Sequence, residues 1–117
     1  MHNYFELKIW QRSRILVKGI YQLTETFPKN QQYGLTSQIQ RSAVSIPSNI
    51  AEGAGRNSKK EFMRFLDIAN GSAFELETQL FLISDLGYAQ IEKVETIITE
   101  LKEIQKMIFR FRSSLDA

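Results

Sequence analysis

The side chains best suited to bind a ligand in this chain are cations grouped around one predicted turn. They are Arg56, Lys59, Lys60 and Arg64. Ammonium and guanidinium groups attract phosphates, with an affinity that falls as salt is added. The whole chain of 117 residues has 15 Lys and Arg against 13 Asp and Glu, a net charge of only +2. Binding to a polyanion therefore requires a fold that concentrates the cations in one place.

Side chains suited to catalysis are scarce. The one histidine, His2, stands next to the N-terminus, so acid–base or triad chemistry built on histidine has no base. Glu75 and Glu77 are two residues apart and point to different faces of a helix, a poor arrangement for sharing a proton. Glu52 and Glu75 can approach each other across two helices, but two carboxylates without histidine make a weak metal site. We expect no catalytic activity, no metal and no cofactor.

Four amphipathic segments must position these groups. In each segment, apolar residues recur mostly three and four positions apart, the spacing of one face of an α-helix. The apolar stripes occupy residues 9–27, 35–54, 62–83 and 94–115. Short connections between long helices favour antiparallel neighbours. The sequence therefore predicts an all-α, single-domain fold over residues 1–117, an up-down-up-down antiparallel four-helix bundle.

Local signals refine this prediction. Ser58 and Glu61 have the spacing of a capping box, which starts the third helix directly after Ser58, and Gly87 is expected to close that helix. The apolar period of the second helix runs straight through Pro47, so we expect one helix that is kinked there. Gly71 and Ser72 lie at the height of small residues in the second helix, which predicts a close approach of the two backbones.

The bundle topology brings three parts of the chain to one end: the start of the first helix, the turn between the second and third, and the close of the fourth. Ten cations and five carboxylates fall there, which gives this end a charge of +5 and the remainder −3. The alternatives to phosphate binding are an ordinary solvated helix end and cations that complement the macrodipole of the fourth helix. The cations of this basic end are Lys8, Arg12, Arg14, Arg56, Lys59, Lys60, Arg64, Lys106, Arg110 and Arg112.

One aromatic residue adds to the basic end. Phe109 stands off the apolar stripe of the fourth helix, flanked by Arg110 and Arg112. An exposed ring beside guanidinium groups can stack on an unpaired base. The alternative is that Phe109 covers a contact between subunits. The predicted nucleic-acid-binding residues are Arg12, Arg14, Arg56, Lys59, Lys60, Arg64, Phe109, Arg110 and Arg112.

Charge is sparse on the second helix and in the middle of the third. Between residues 35 and 54 the only charges are Arg41 and Glu52, and between 68 and 84 they are Glu75 and Glu77. Uncharged polar stripes beside an apolar stripe suit a surface that is covered on both sides. We therefore predict a subunit interface there, and the alternative is a weakly charged solvent face. The predicted interface residues are Gln38, Arg41, Ser42, Ser45, Asn49, Glu75 and Gln79.

The chain carries no sign of a membrane or secretory segment. Its longest apolar run, residues 80–83, is far too short to span a bilayer, and the N-terminal residues do not read as a signal peptide. The absence of cysteine permits a reducing compartment. We expect a cytoplasmic protein without a membrane partner or a small-molecule substrate.

A long pattern of residues resembles a known family. It includes Tyr33-Gly-Leu-Thr-Ser-Gln-Ile39, Ser45-Ile-Pro-Ser-Asn-Ile-Ala-Glu-Gly53, Gly71-Ser72 and Leu86-Gly-Tyr88. The pattern is similar to that of the four-helix-bundle proteins encoded in intervening sequences of bacterial 23S ribosomal RNA genes. This resemblance implies a homo-oligomer, commonly a pentamer, with presumed binding of RNA or other nucleic acid and no catalysis. A related branch comprises the accessory variability proteins of retroelements, which work with a reverse transcriptase.

Three hypotheses follow from these observations. The favoured one is a non-enzymatic oligomer that binds structured RNA through its basic end. The second is a protein-interaction scaffold, or an accessory subunit for a nucleic-acid enzyme such as a reverse transcriptase. The third is an enzyme that uses interfacial carboxylates.

Overall fold

Four long helices form the fold, and the computed structural model describes residues 2–32 and 34–116. Tyr33, the first residue of one family motif, lies outside the described residues. Two short 3-10 turns, Tyr4–Glu6 and Lys29–Gln31, precede the first two helices. The helices are α1 Lys8–Thr24, α2 Leu35–Ala54, α3 Lys59–Leu86 and α4 Ile91–Asp116.

The helices pack as a closed ring of neighbours. Successive helices are in contact, and α1 also packs against α4. Pairs such as Asp67 with Arg112 and Glu77 with Gln105 fit an antiparallel course of α3 and α4. The long axis of 44 Å is close to the length expected of the 28 residues of α3. The predicted all-α four-helix bundle is confirmed.

The local signals for the helix ends act as expected. The Ser58 hydroxyl accepts a hydrogen bond from the Glu61 amide at 3.1 Å and caps α3. Gly87 ends α3 with φ of 71°, and the amide of Tyr88 bonds back to the carbonyl of Ile83 at 3.1 Å. α2 is one helix through Pro47, while the kink at that residue stays a prediction.

One glycine allows a tight contact between α2 and α3. A Cβ atom added to Gly53 would lie 2.7 Å from Phe65 Cβ and 2.8 Å from Phe62 Cδ1, whereas one added to Gly71 would meet open space. The close approach predicted beside Gly71 and Ser72 stays a prediction, although the hydroxyls of Ser45 and Ser72 lie 2.8 Å apart there. A tight contact of α2 with α3 lies at Gly53. Because Gly53 adjoins the α2–α3 turn, this contact fixes the start of α3 and the cations that it carries.

Candidate nucleic-acid interface

The α2–α3 turn presents four cations to solvent. Lys59 and Lys60 are exposed and form no ion pair within the described residues. Arg56 contacts Glu52 at 3.1 Å, and its guanidinium lies 4.9 Å from the ring centroid of Phe65. Exposed ion pairs of this kind contribute about 0–1 kcal/mol, so a phosphate can replace the carboxylate at little cost.

Arg64 completes this group one turn further along α3. Its side chain is 74% exposed and approaches Glu61 only to 3.9 Å. The structure thus brings four of the predicted nucleic-acid-binding residues together in one exposed cluster, which we call the turn cluster. Its members are Arg56, Lys59, Lys60 and Arg64.

Two other predicted cations are held by carboxylates. Arg12 donates Nε to Glu100 Oε1 at 2.8 Å and Nη2 to Oε2 at 2.9 Å. Arg112 bonds both oxygens of Asp67, at 2.6 and 3.2 Å. These hydrogen bonds raise the pKa of both arginines. Since an arginine is charged at any physiological pH, the pairing and not titration limits their availability to phosphates.

Arg14 belongs to an aromatic group at the N-terminal end. Its guanidinium lies 5.4 Å from the ring centroid of Trp10. The Phe5 ring stacks on Tyr4 at 4.5 Å and meets Trp10 edge-on at 5.2 Å. Sequence reasoning missed this group, although Tyr4, Phe5 and Trp10 are close in the chain.

Phe109 lies in a groove between α3 and α4. The ring is 64% exposed and shares the groove with Phe74, which is 56% exposed. The groove has a volume of about 610 Å³. Arg110 lines it, whereas Arg112 is bound to Asp67, so the structure groups Phe109 with only one of the two arginines named from the sequence. The lining residues are Asn70, Phe74, Glu77, Lys102, Gln105, Lys106, Phe109 and Arg110.

The polar stripe of α2 is used largely within the chain. Ser42 donates to Glu75 Oε1 at 2.6 Å. The hydroxyls of Ser45 and Ser72 lie 2.8 Å apart, and Asn49 bonds to the carbonyl of Ser45 at 2.8 Å. Packing against α3 within the subunit therefore accounts for the uncharged side chains of this stripe.

The remaining predicted interface residues surround a shallow surface pocket. Gln38, Arg41, Glu75 and Gln79 line it together with Thr78. Gln79 is only 7% exposed, and its Oε1 has no hydrogen-bond partner among the described residues. Gln79 thus carries a buried acceptor that is unsatisfied among the described residues.

α3 also carries an unusual share of exposed apolar side chains. Five of the eleven large hydrophobic residues exposed in the described chain belong to it. Contiguous apolar surface on a monomer commonly marks a contact with another protein. These residues are Ile68, Phe74, Phe81, Leu82 and Leu86.

The part of the chain that the structure describes offers neither a three-ligand metal site nor a membrane-spanning helix. No group of three His, Asp or Glu side chains there could hold a metal ion. His2 instead packs its ring at 5.0 Å from Phe62 and 6.0 Å from Phe111. No helix of that part has the length and apolar character needed to cross a membrane.

Comparison with known proteins places these features in a family. No curated protein matches the chain. A crystal structure of a protein of unknown function from the S23 ribosomal protein family, from Bacteroides thetaiotaomicron VPI-5482, is similar at 28% identity and a TM-score of 0.83, over 90% of this chain and 95% of that one. The sequence model of the 23S rRNA-intervening sequence protein family matches residues 5–110. Neither description names a catalytic activity. With this match over most of its length and the four-helix bundle that the motifs implied, the chain belongs to the 23S rRNA-intervening sequence protein family.

Proposed function

We propose that this protein is a non-enzymatic, self-associating RNA-binding protein of the cytoplasm that contacts RNA through the turn cluster. The observation that carries the proposal is the placement of Lys59 and Lys60, exposed and without an ion-pair partner among the described residues, at the start of α3. The N-terminus of a helix favours anions through its unpaired amides and its dipole. The family description, which refers to 23S rRNA, points to RNA as the polyanion.

Self-association is part of this proposal because the turn cluster of a single subunit is small. Four cations on one subunit give a modest attraction for a polyanion, and a symmetric oligomer repeats them around its axis. Ile68, Leu82 and Leu86, which fall on the same face of α3 as Gln79, and the pocket at Gln79 supply a surface for that contact. Five subunits is the number implied by the resemblance of the sequence to its family.

A second candidate function is supported by the same apolar surface. Ile68 and Leu82 on α3 suit a contact with a different protein as well as with another copy. In that case the protein is a scaffold or an accessory subunit of a nucleic-acid enzyme, and the turn cluster only keeps it soluble. Binding to RNA distinguishes the two candidates.

The proposal is tested by fluorescence anisotropy with fragments of 23S rRNA over a salt series. Substitution of Arg56, Lys59 and Lys60 by Ala is expected to lower the affinity about ten-fold or more and to reduce the slope of log K against log salt by about 2, because each phosphate contact contributes roughly 0.7–0.9. The control is the equally charged triple substitution of Lys18, Lys29 and Lys93, which lie outside the basic end. Equal affinities for the two variants, or binding that does not respond to salt, would contradict the proposal.

Self-association has its own test by light scattering. Ile68→Glu together with Leu82→Glu places two charges on the apolar surface of α3 and is expected to yield monomers. Ile15→Glu, on an α1 side chain that is 64% exposed, is the matched control and should leave the mass unchanged. A wild-type protein that is monomeric at micromolar concentration rules out the oligomer.

A further inference from the structure

We propose that the groove between α3 and α4 binds unpaired nucleotides, with bases stacked on Phe74 and Phe109 and phosphates held by Lys106 and Arg110. The inference rests on the proposed RNA binding and adds the form of RNA that the protein selects. It assigns to single-stranded segments a site separate from the turn cluster. The occupant is therefore a loop or an end of an RNA, not a duplex.

The first argument is the state of the two rings. The side chains of Phe74 and Phe109 are 56% and 64% exposed, whereas Phe27 and Phe62 are buried in the core of the same bundle. Neither ring is in an aromatic pair within the described residues. Both line the same groove, so each has a face available to a planar ligand. Bases stack on such rings with little dependence on sequence.

The second argument is the charge of the groove. Lys102, Lys106 and Arg110 line it against a single carboxylate, Glu77. Glu77 is already engaged, because it accepts from Gln105 Nε2 at 3.0 Å and lies 3.8 Å from Lys102 Nζ. Lys106 and Arg110 form no ion pair within the described residues. Cations beside stacking rings are typical of sites for single-stranded nucleic acid, since the phosphates and the bases are bound together.

The third argument is the shape and the polar content of the groove. Its volume of about 610 Å³ falls within the range of roughly 300–1,000 Å³ found for small-ligand pockets. Asp67 with Arg112 and Glu77 with Gln105 hold α3 and α4 together on either side of Asn70 and Phe74. Asn70 also lines the groove, and its side-chain oxygen is buried without a hydrogen-bond partner among the described residues.

These features favour unpaired nucleotides over a duplex. In an A-form helix the bases are stacked on one another and cannot present a face to a protein ring. Bases in loops and ends are free to leave the stack and enter a groove. The turn cluster, by contrast, attracts phosphates of either form. The two sites thus make different contributions to binding.

The test uses a short single-stranded RNA that carries 2-aminopurine, whose fluorescence falls when the base stacks, and a duplex of the same length. We expect the wild-type protein to quench the single strand. The double substitution Phe74→Leu with Phe109→Leu, which keeps apolar side chains, should weaken single-strand binding about ten-fold or more while duplex binding stays unchanged. Phe81→Leu is the control, because that ring is 52% exposed on α3 but does not line the groove.

Each of the remaining outcomes overturns the groove site, the proposed function or both. Unchanged single-strand binding by the double variant, with duplex binding intact, overturns the groove site and leaves the proposed function standing. Failure of the wild-type protein to bind either RNA overturns both. A change of mass in light scattering for the double variant, without a change in single-strand affinity, means that a second copy covers the groove and overturns this inference. Circular dichroism of all variants confirms that they fold.

Discussion

The two sides of α3 pack differently. Toward α2, small residues of that helix take part in close contacts: Gly53 lies against Phe65, and the hydroxyls of Ser45 and Ser72 are 2.8 Å apart. Toward α4 the polar contacts are made by long side chains, such as Glu77 with Gln105 at 3.0 Å. On that second side a groove of about 610 Å³ remains open.

The difference shows how side-chain size at a helix contact affects function. A tight contact mainly stabilises the fold, whereas a loose one leaves room for a ligand. The distance between two helices depends on the side chains at their contact. Small residues let α2 and α3 approach closely at Gly53. Longer residues between α3 and α4 leave a gap that a ligand can fill. We infer that the tight contacts toward α2 mainly stabilise the bundle, whereas the groove toward α4 is available to RNA and the pocket at Gln79 to another copy of the chain.

The largest effect is expected at the close contact. Gly53→Ala places a Cβ atom 2.7 Å from Phe65 Cβ, which is part of a packed side chain and has little room to move. Overpacking of this kind costs about 1–3 kcal/mol, so we expect a loss of about 2 kcal/mol in the free energy of unfolding. Urea denaturation followed by circular dichroism measures it.

Gly71→Ala is the matched control for that measurement. The added methyl group meets open space on the same helix pair, and alanine favours the helix by about 0.5–1 kcal/mol over glycine. We therefore expect a gain in stability at Gly71 and a loss at Gly53. The same sign at both positions would show that α2 and α3 do not approach closely at Gly53.

A smaller effect is expected on the open side. Gln105→Ala removes the donor to Glu77, but water can enter the groove and replace it. The expected loss is about 0.5–1 kcal/mol. Gln22→Ala, at an exposed position of α1, corrects for the higher helix propensity of alanine. A loss at Gln105 as large as that at Gly53 would mean that the α3–α4 contact is as tightly closed as the other.

Much of the fold was predictable because its signals are local. The spacing of apolar residues located all four helices, and the cap at Ser58 and the stop at Gly87 required only neighbours in the chain. The turn cluster was predictable for the same reason, since its members follow one another around a single turn. The tight contact at Gly53 was not predictable, because it depends on which residues face each other across two helices.

The partners of individual cations could not be predicted either. Arg12 reaches Glu100, which is 88 positions away in the chain, and Arg112 reaches Asp67 over 45 positions. Such pairs depend on the register of the helices, which a single sequence does not reveal. Phe74 was missed because its relation to Phe109 appears only when α3 and α4 lie side by side.

The most direct test of RNA binding is lysine acetylation of the protein with and without a 23S rRNA fragment, read by mass spectrometry. We expect RNA to protect Lys59, Lys60 and Lys106, because the first two belong to the turn cluster and the third lines the groove. Lys18, Lys29 and Lys93 should react equally in both samples. Protection of this second set, or no difference at any lysine when RNA is bound, would contradict the assignment of RNA binding to the turn cluster and the groove.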